Sequence, residues 1–144
     1  MASTLRFASF DEVLAALDGV TDPVPTSGPV VAHCAASVTC SVAGYPSLKP
    51  AWFRATIGRL VKRRFLRRGT MSHDTGAGLP GEPPISGEMP LGTARAELRA
   101  AIARFLAHDG ALAPHPVFGD CSKAEYERLH AMHIADHLGA LGGA

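Results

Sequence analysis

A run of fifteen residues without a charged side chain, from Pro29 to Ala43, is the feature that most constrains the fold of this chain. The nearest charged residues are Asp22 and Lys49, so the run has no polar face to turn toward water. The rest of the chain must therefore bury it nearly all round. Its valines leave a strand open, but its length and Ala-rich middle favour a helix that ends at Gly44.

Four other segments have the apolar spacing of helices. They are a short segment after the capping-box sequence Ser9-Phe-Asp-Glu12, a segment from Pro50 to Arg68, a segment from Thr93 toward Gly110, and a final segment that opens on the capping box Ser122-Lys-Ala-Glu125. We find no convincing strand-like alternation and no internal repeat. The pattern predicts an all-α fold, namely a four-helix bundle with a short extra N-terminal helix.

A long Gly/Pro-rich loop is predicted between the third and fourth segments. Residues 69–92 hold six of the fifteen glycines and four of the eleven prolines. A loop of this length in a small domain is either disordered or functional. Met71, Leu79, Ile85 and Met89 give it apolar side chains with which to pack.

Length and composition bound the class of protein. A chain of 144 residues with 47% hydrophobic content predicts a single domain over residues 1–144. A net charge of +1 gives no global attraction to nucleic acid or to a membrane. The three cysteines, Cys34, Cys40 and Cys121, form no Cys-x-x-Cys pair, which fits a reducing compartment. We expect a soluble, cytoplasmic protein, and the sequence leaves its oligomeric state open, a homodimer included.

The last helix carries a stripe of histidines on its apolar face. At about 100° per residue, His133 and His137 are separated by about 40° around the axis, and His130 lies within about 60° of His133. Buried imidazole nitrogens need partners, since an unsatisfied polar group costs about 1–3 kcal/mol. A His-x-x-x-His pair offers two adjacent corners of a metal's coordination sphere.

Two interpretations of the pair remain open. Either the two rings hydrogen-bond core hydroxyls or carbonyls, or they bind a metal ion. A zinc protease is excluded, because Ile134 stands where a His-Glu-x-x-His motif needs its carboxylate. His33, in the middle of the uncharged helix, is the best candidate for a third ligand.

Several neighbours are candidates for supporting roles. Ser37 and Cys40 follow His33 at one and two turns, although a cysteine there is more often a small buried apolar residue. His130 could be a further ligand, a base or a residue behind the ligands. Asp136 could orient an imidazole by accepting its free N–H, or it could be a solvated carboxylate. His115 could reach the site from a loop, and His73 and His108 are predicted to be surface residues.

The segment from Pro50 to Arg68 is strongly basic, with seven of the fourteen Lys and Arg residues. A solvated helix face is the default explanation, and a local site for an anionic, carboxylate-bearing substrate is the functional one. The chain has a single Trp, which argues against nucleic acid. The residues predicted to face the core are Phe53, Ile57, Leu60, Val61 and Phe65.

Three stretches together resemble an uncharacterised branch of the DinB/YfiT-like superfamily of candidate metalloenzymes. They are Val31-Ala-His33-Cys-Ala-Ala-Ser-Val with Gly44-Tyr-Pro-Ser-Leu-Lys-Pro50, then His115-Pro-Val-Phe-Gly119, then Leu129-His-Ala-Met-His133-Ile-Ala-Asp-His137-Leu. The likeness covers nearly the whole chain. It implies a four-helix bundle in which His33, His133 and His137 bind a divalent metal. Relatives often have His-His where this chain has Asp136-His137, and His-Leu where it has His33-Cys34.

The resemblance also implies a chemistry. Characterised members of that superfamily include transferases and isomerases that use low-molecular-weight thiols such as bacillithiol or mycothiol. We expect a Zn²⁺ or Ni²⁺ site with an open position for a thiol or water, and transfer of the thiol to an electrophile, with the basic helix holding an anionic cosubstrate. A metal-dependent hydrolase and a non-catalytic metal-binding bundle are the alternatives.

Overall fold

The computed structural model describes residues 5–20 and 27–141, and within them the chain forms five helices. They are α1 (Phe10–Leu17), α2 (Ser27–Ala43), α3 (the contiguous pieces Ala51–Phe53, Arg54–Gly58 and Arg59–Arg68), α4 (Leu91–Ala107) and α5 (Lys123–Ala140). Extended pairing in these residues is limited to an isolated bridge between His115 and Gly119. The predicted all-α class is therefore confirmed for the described residues.

The uncharged segment is the central helix, α2, as predicted. Ser27, Val31, Cys34 and Val38 are fully or almost fully buried along it. Its most extensive packing is against α4, which contributes Leu98 and other buried side chains to the same core, and it also packs against α5. Because α2 and α5 pack together, residues from the middle of one can reach the last turns of the other.

Side-chain caps fix where α1 and α5 begin. In α5 the capping box is complete, since Ser122 Oγ accepts from the Glu125 backbone N–H at 3.1 Å and Glu125 accepts from the Ser122 backbone N–H at 2.9 Å. In α1 the Ser9 hydroxyl accepts from the Glu12 N–H, but the Glu12 carboxylate accepts from Ala8 rather than from Ser9. The second half of that predicted box is thus displaced by one residue.

The register of α3 differs from the predicted one. Ile57 and Leu60, expected in the core, are 47% and 64% exposed, whereas Lys62 is only 7% exposed. The reason is the π-helical turn Arg54–Gly58, which places one extra residue in the turn and rotates the face that meets the core. The buried Lys62 ammonium donates to the Asp120 carbonyl at 3.1 Å and to Glu125 at 3.3 Å, which ties α3 to the start of α5.

The segment between α3 and α4 contains neither helix nor strand. Gly69 ends α3 in the left-handed region, with φ +74°. Leu79 is buried, and the Ile85 N–H donates to the Gly76 carbonyl at 2.9 Å, so the segment folds back on itself. None of the described helices has the length and apolar character needed to cross a membrane.

Gly58 allows α3 to approach the segment between α4 and α5 backbone to backbone. A Cβ atom built on Gly58 would overlap the Val117 carbonyl group. We predict that Gly58→Ala lowers the free energy of unfolding by at least about 1–3 kcal/mol, because main-chain atoms must move to make room. Chemical denaturation measures this change. The matched control is Gly92→Ala, where a Cβ meets no atom within 4 Å and a loss of stability is not expected.

Candidate metal centre

The last helix presents two imidazoles one turn apart. The Nε2 atoms of His133 and His137 lie 3.1 Å from each other, and their ring centroids lie 4.6 Å apart. The capping box at Ser122 and the hydrogen bond from the Tyr126 hydroxyl to the Ala113 carbonyl, 2.6 Å long, hold the start of this helix in place. The rotational position of both rings is therefore set by well-anchored backbone.

The central helix brings a third imidazole to the same point. The ring centroid of His33 lies 4.7 Å from that of His137 and 5.4 Å from that of His133. One ring nitrogen from each of the three histidines lies within 4.8 Å of the others, so that the group could hold a metal ion. The two distant stretches of chain that the sequence singled out thus meet at one place.

Burial keeps all three rings neutral at pH 7. Burial, reinforced by the nearby His73, lowers the pKa of His33 to about 4. Burial, with His73 and His33 beside it, lowers the pKa of His137 to about 3. Burial, followed by the effect of the other histidines, holds the pKa of His133 well below its ordinary value of 6.5. A neutral imidazole keeps one nitrogen lone pair free for a metal ion.

The hydrogen-bond partners of the paired rings are unusual in the described part of the chain. Among the described residues, the atoms that contact the Nε2 atoms of His133 and His137 are other imidazole nitrogens. The Nδ1 atoms of both residues are buried and have no hydrogen-bond partner within residues 5–20 and 27–141. The interpretation in which core hydroxyls or carbonyls satisfy these two rings is therefore wrong for the described part of the chain.

A fourth imidazole, which the sequence analysis placed at the surface, joins the cluster. The side chain of His73 is 26% exposed, yet its Nε2 lies 3.0 Å from the Nε2 of His137. Its ring centroid also lies 4.7 Å from that of His133. His73 was missed because it lies in an irregular loop, where no periodicity shows which way a side chain points. The available signal was the loop's own store of apolar residues, which indicated that it packs onto the protein.

Asp136 orients an imidazole, but the ring belongs to this loop rather than to α5. One carboxylate oxygen of Asp136 lies 2.7 Å from Nδ1 of His73 and also accepts the His73 backbone N–H at 3.2 Å. The orienting role that the sequence raised for Asp136 is thus present, with a partner that the sequence did not identify.

The other candidates are not among the three histidines whose ring nitrogens converge. The ring of His130 stacks on Tyr126, with centroids 5.3 Å apart, and its buried Nε2 has no hydrogen-bond partner among the described residues. Ser37 is buried and lines the cavity described next, whereas Cys40 is half-buried and does not line it. His115 accepts the backbone N–H groups of Val117 and Phe118 at its Nδ1, 3.1 and 3.2 Å away. His108 bonds the Ala111 carbonyl, away from the site.

A cavity of about 320 Å³ adjoins the cluster. His33, His73 and His133 form part of its wall, together with His115 and His130. Most of the remaining wall is apolar, as with Val61, Phe65, Met71, Leu79, Phe118 and Leu129. Among the described residues that line it there is no Asp, Glu, Lys or Arg. The basic residues of α3 therefore lie outside the cavity itself.

Comparison with known protein families identifies the family of this chain. The family described as "Protein of unknown function (DUF1569)" matches residues 25–143. The chain belongs to this family. The match spans α2 to α5 with the loop between α3 and α4, and so includes every histidine of the cluster. No curated protein and no solved structure gave a match. The resemblance to the DinB/YfiT-like superfamily stays a prediction.

The buried rings generate a prediction about pH. Burial, with Lys62 nearby, lowers the pKa of His115 from 6.5 to about 3, so the fold favours its neutral form. The contribution of the neutral His115 ring to the free energy of unfolding is fully present above pH 6.5. It is lost as the pH falls from 6.5 toward 3. With a metal chelator present, the free energy of unfolding of the wild type should fall by about 2 kcal/mol more than that of His115→Asn between pH 7 and pH 5, because asparagine does not titrate. Urea denaturation at each pH measures this difference, and parallel curves would contradict it.

Proposed function

We propose that this protein is a metal-dependent enzyme in which His33, His133 and His137 hold one divalent metal ion, Zn²⁺ or Ni²⁺. The observation that carries the proposal is the convergence of three neutral ring nitrogens within 4.8 Å of one another, beside a cavity. Imidazole nitrogens suit Zn²⁺, Ni²⁺ and related transition metals, whereas Mg²⁺ and Ca²⁺ prefer oxygen ligands.

The distances within the cluster support a shared ion. Two nitrogens that are each about 2.0–2.1 Å from one metal lie about 2.9–3.4 Å from each other. The Nε2 atoms of His133 and His137 are 3.1 Å apart. The Nε2 atoms of the same two rings are further support, because among the described residues they contact other imidazole nitrogens, whose lone pairs a cation would bind. The α5 pair therefore has the spacing of two ligands to one ion, and a ring nitrogen of His33 lies within 4.8 Å of both.

We also propose the finer fold that the sequence suggested. In this proposal α2, α3, α4 and α5 form a DinB/YfiT-like four-helix bundle, α1 is an additional short helix, and the Gly/Pro-rich loop of residues 69–92 closes one side of the site. The pairing of α2 with α4 and with α5 supports this arrangement. The source of the ligands also supports it, with one histidine from α2 and an i, i+4 pair from α5.

The reaction that we propose is transfer of a low-molecular-weight thiol to an electrophile. A bound divalent cation supplies Lewis acidity, which lowers the pKa of a thiol or water near it. The chain's own residues would hold the electrophile against apolar walls and exclude water. In the overall change the S–H bond of the thiol and the bond from carbon to its leaving group break, an S–C bond forms, and the proton leaves with that group.

The surroundings of the cavity indicate which substrates fit. Its uncharged wall suits an apolar electrophile. A separate groove of about 440 Å³ is lined by Arg54 and Arg59, by the Lys62–Glu125 ion pair and by Asp120, and it shares Phe118 with the cavity. An anionic part of the thiol cosubstrate would lie in this groove.

Hydrolysis is less well supported than thiol transfer. A metal-dependent hydrolase commonly uses a carboxylate as the base for water, and none lines the described part of the cavity. The carboxylate nearest in sequence to the ligands, Asp136, is engaged by His73. A metal site that only stabilises the fold is the other alternative.

Metal content is the first test of the proposal. We expect His33→Ala and His133→Ala each to lose most of the tightly bound metal, about one ion per chain in the wild type, because each removes a ligand that a packed helix holds in place. Elemental analysis of protein purified without a histidine tag measures this. His108→Ala, which removes an imidazole outside the cluster, is the control and should keep its metal.

The melting temperature then separates a functional site from a structural one. Without metal, His133→Ala should melt close to the wild type. With metal added, it should melt far below the wild type, because metal then stabilises only the protein that has the preformed site. A variant that fails to fold at all would favour the structural alternative. Full metal retention by both variants would overturn the proposal.

Consumption of a thiol tests the reaction. We expect the metal-loaded protein to accelerate the reaction of glutathione with 1-chloro-2,4-dinitrobenzene, and we expect His33→Ala to abolish this acceleration. Because the anionic thiol would contact the groove, Arg59→Ala should raise the KM for glutathione several-fold and leave that for 2-mercaptoethanol unchanged. The absorbance of the aryl thioether follows the reaction, and Arg104→Ala on α4 is the matched control. Equal effects on both thiols would remove the groove from the proposal.

A further inference from the structure

We propose that His73 supplies a fourth and removable ligand to the metal centre, so that the loop that forms one wall of the cavity also controls access to the metal. This inference rests on the proposed three-histidine site and adds a ligand that neither the sequence pattern nor the family match assigns.

The first support is distance. Nε2 of His137 lies 3.0 Å from Nε2 of His73 and 3.1 Å from Nε2 of His133. Both separations fall within the range of about 2.9–3.4 Å expected for nitrogens that share one ion. The ring of His73 also lies as near to His133 as to His137, with centroids 4.7 and 4.6 Å away. His73 thus lies as close to Nε2 of His137 as His133 does.

The second support is the orientation of the ring. Nδ1 of His73 lies 2.7 Å from the carboxylate of Asp136. A neutral imidazole that donates its Nδ1–H to a carboxylate has its lone pair on Nε2, and here Nε2 faces the cluster. Metal-binding histidines commonly have such a carboxylate partner, which fixes the tautomer and makes the ligand more basic.

The third support is the difference in burial between His73 and the other rings. His137 is 1% exposed and lies on α5, whereas the side chains of His73 and Asp136 are 26% and 25% exposed. The segment that carries His73 contains no helix or strand. Directly after His73 it makes a local hydrogen bond, in which the Asp74 side chain accepts the Gly76 N–H at 3.0 Å. His73 is therefore the imidazole of the four that can leave with the least disruption of packing.

The same segment contributes Met71, Leu79 and His73 to the wall of the cavity. With His73 in place, four imidazoles would be available to the ion, as in closed structural sites. With His73 withdrawn, three imidazoles would remain and one position would be open, as in catalytic sites. Movement of one segment would therefore open the cavity and free a coordination position together.

Cobalt substitution tests the proposal without any activity assay. We expect His73→Ala to weaken Co²⁺ binding by about 10- to 100-fold and to change the visible absorption bands, which report the number and geometry of ligands. Because no ligand must be displaced, the Co²⁺ form of His73→Ala should bind 2-mercaptoethanol at a concentration at least about 10-fold lower than the wild type. The sulfur-to-cobalt charge-transfer band measures this binding.

Two further variants make the interpretation specific. Asp136→Asn keeps a side chain of the same size and should show a smaller change in the same direction, because the ring loses its anionic partner. His108→Ala removes an imidazole elsewhere and should behave as the wild type. Circular dichroism establishes that each variant is folded before titration.

The outcomes separate this inference from the function on which it rests. If the wild type binds Co²⁺ and His73→Ala gives the same affinity, bands and thiol binding, His73 is not a ligand, while the three-histidine site stands. A fall in melting temperature that is equal with and without Co²⁺, with unchanged bands, would assign His73 and Asp136 to loop anchoring alone and would also overturn the inference. If the wild type binds no Co²⁺, the three-histidine site itself fails.

Discussion

The central feature of the structure is a cluster of buried imidazoles that have mainly one another as partners among the described residues. Burial depresses the pKa values of His33, His133 and His137 and so keeps the rings uncharged. Among the described residues, the Nε2 atoms of His133 and His137 face other imidazole nitrogens at 3.0 and 3.1 Å, and a buried polar group without a partner costs about 1–3 kcal/mol. A cation bound to the Nε2 lone pairs would offset that cost at those atoms, and for this reason we interpret the cluster as a metal centre.

The proposed centre combines two kinds of support. Two packed helices carry three imidazoles, and an irregular segment carries a fourth, that of His73. The carboxylate of Asp136 on α5 holds this fourth ring. The helices provide a fixed geometry, while the segment lies at the edge of the cavity and is less buried. Such a division suits an enzyme, because ligands that set the position of the ion need rigidity and a group that guards access needs freedom to move.

Local periodicity predicted most of the helices, and the main discrepancy has a local cause. The apolar spacing placed Ile57 and Leu60 in the core, and the structure leaves both exposed. The π-helical turn rotates α3 at Arg54–Gly58, where Gly58 lies against the Val117 carbonyl group. A regular period of 3.6 residues cannot include this turn, and the contact beside it is with a segment about sixty positions away in the chain.

The sequence by itself determined the all-α class and the choice of His33, His133 and His137, because helical spacing fixes which side chains share a face and an uncharged helix must be buried. Only the tertiary structure decided that His73 approaches His137, that Asp136 holds it, and that a cavity lies beside them. His73 and His137 are 64 positions apart, and the loop that carries His73 has no repeating sequence pattern. The path of such a loop depends on its packing against the helices, and this packing cannot be read from periodicity in the sequence.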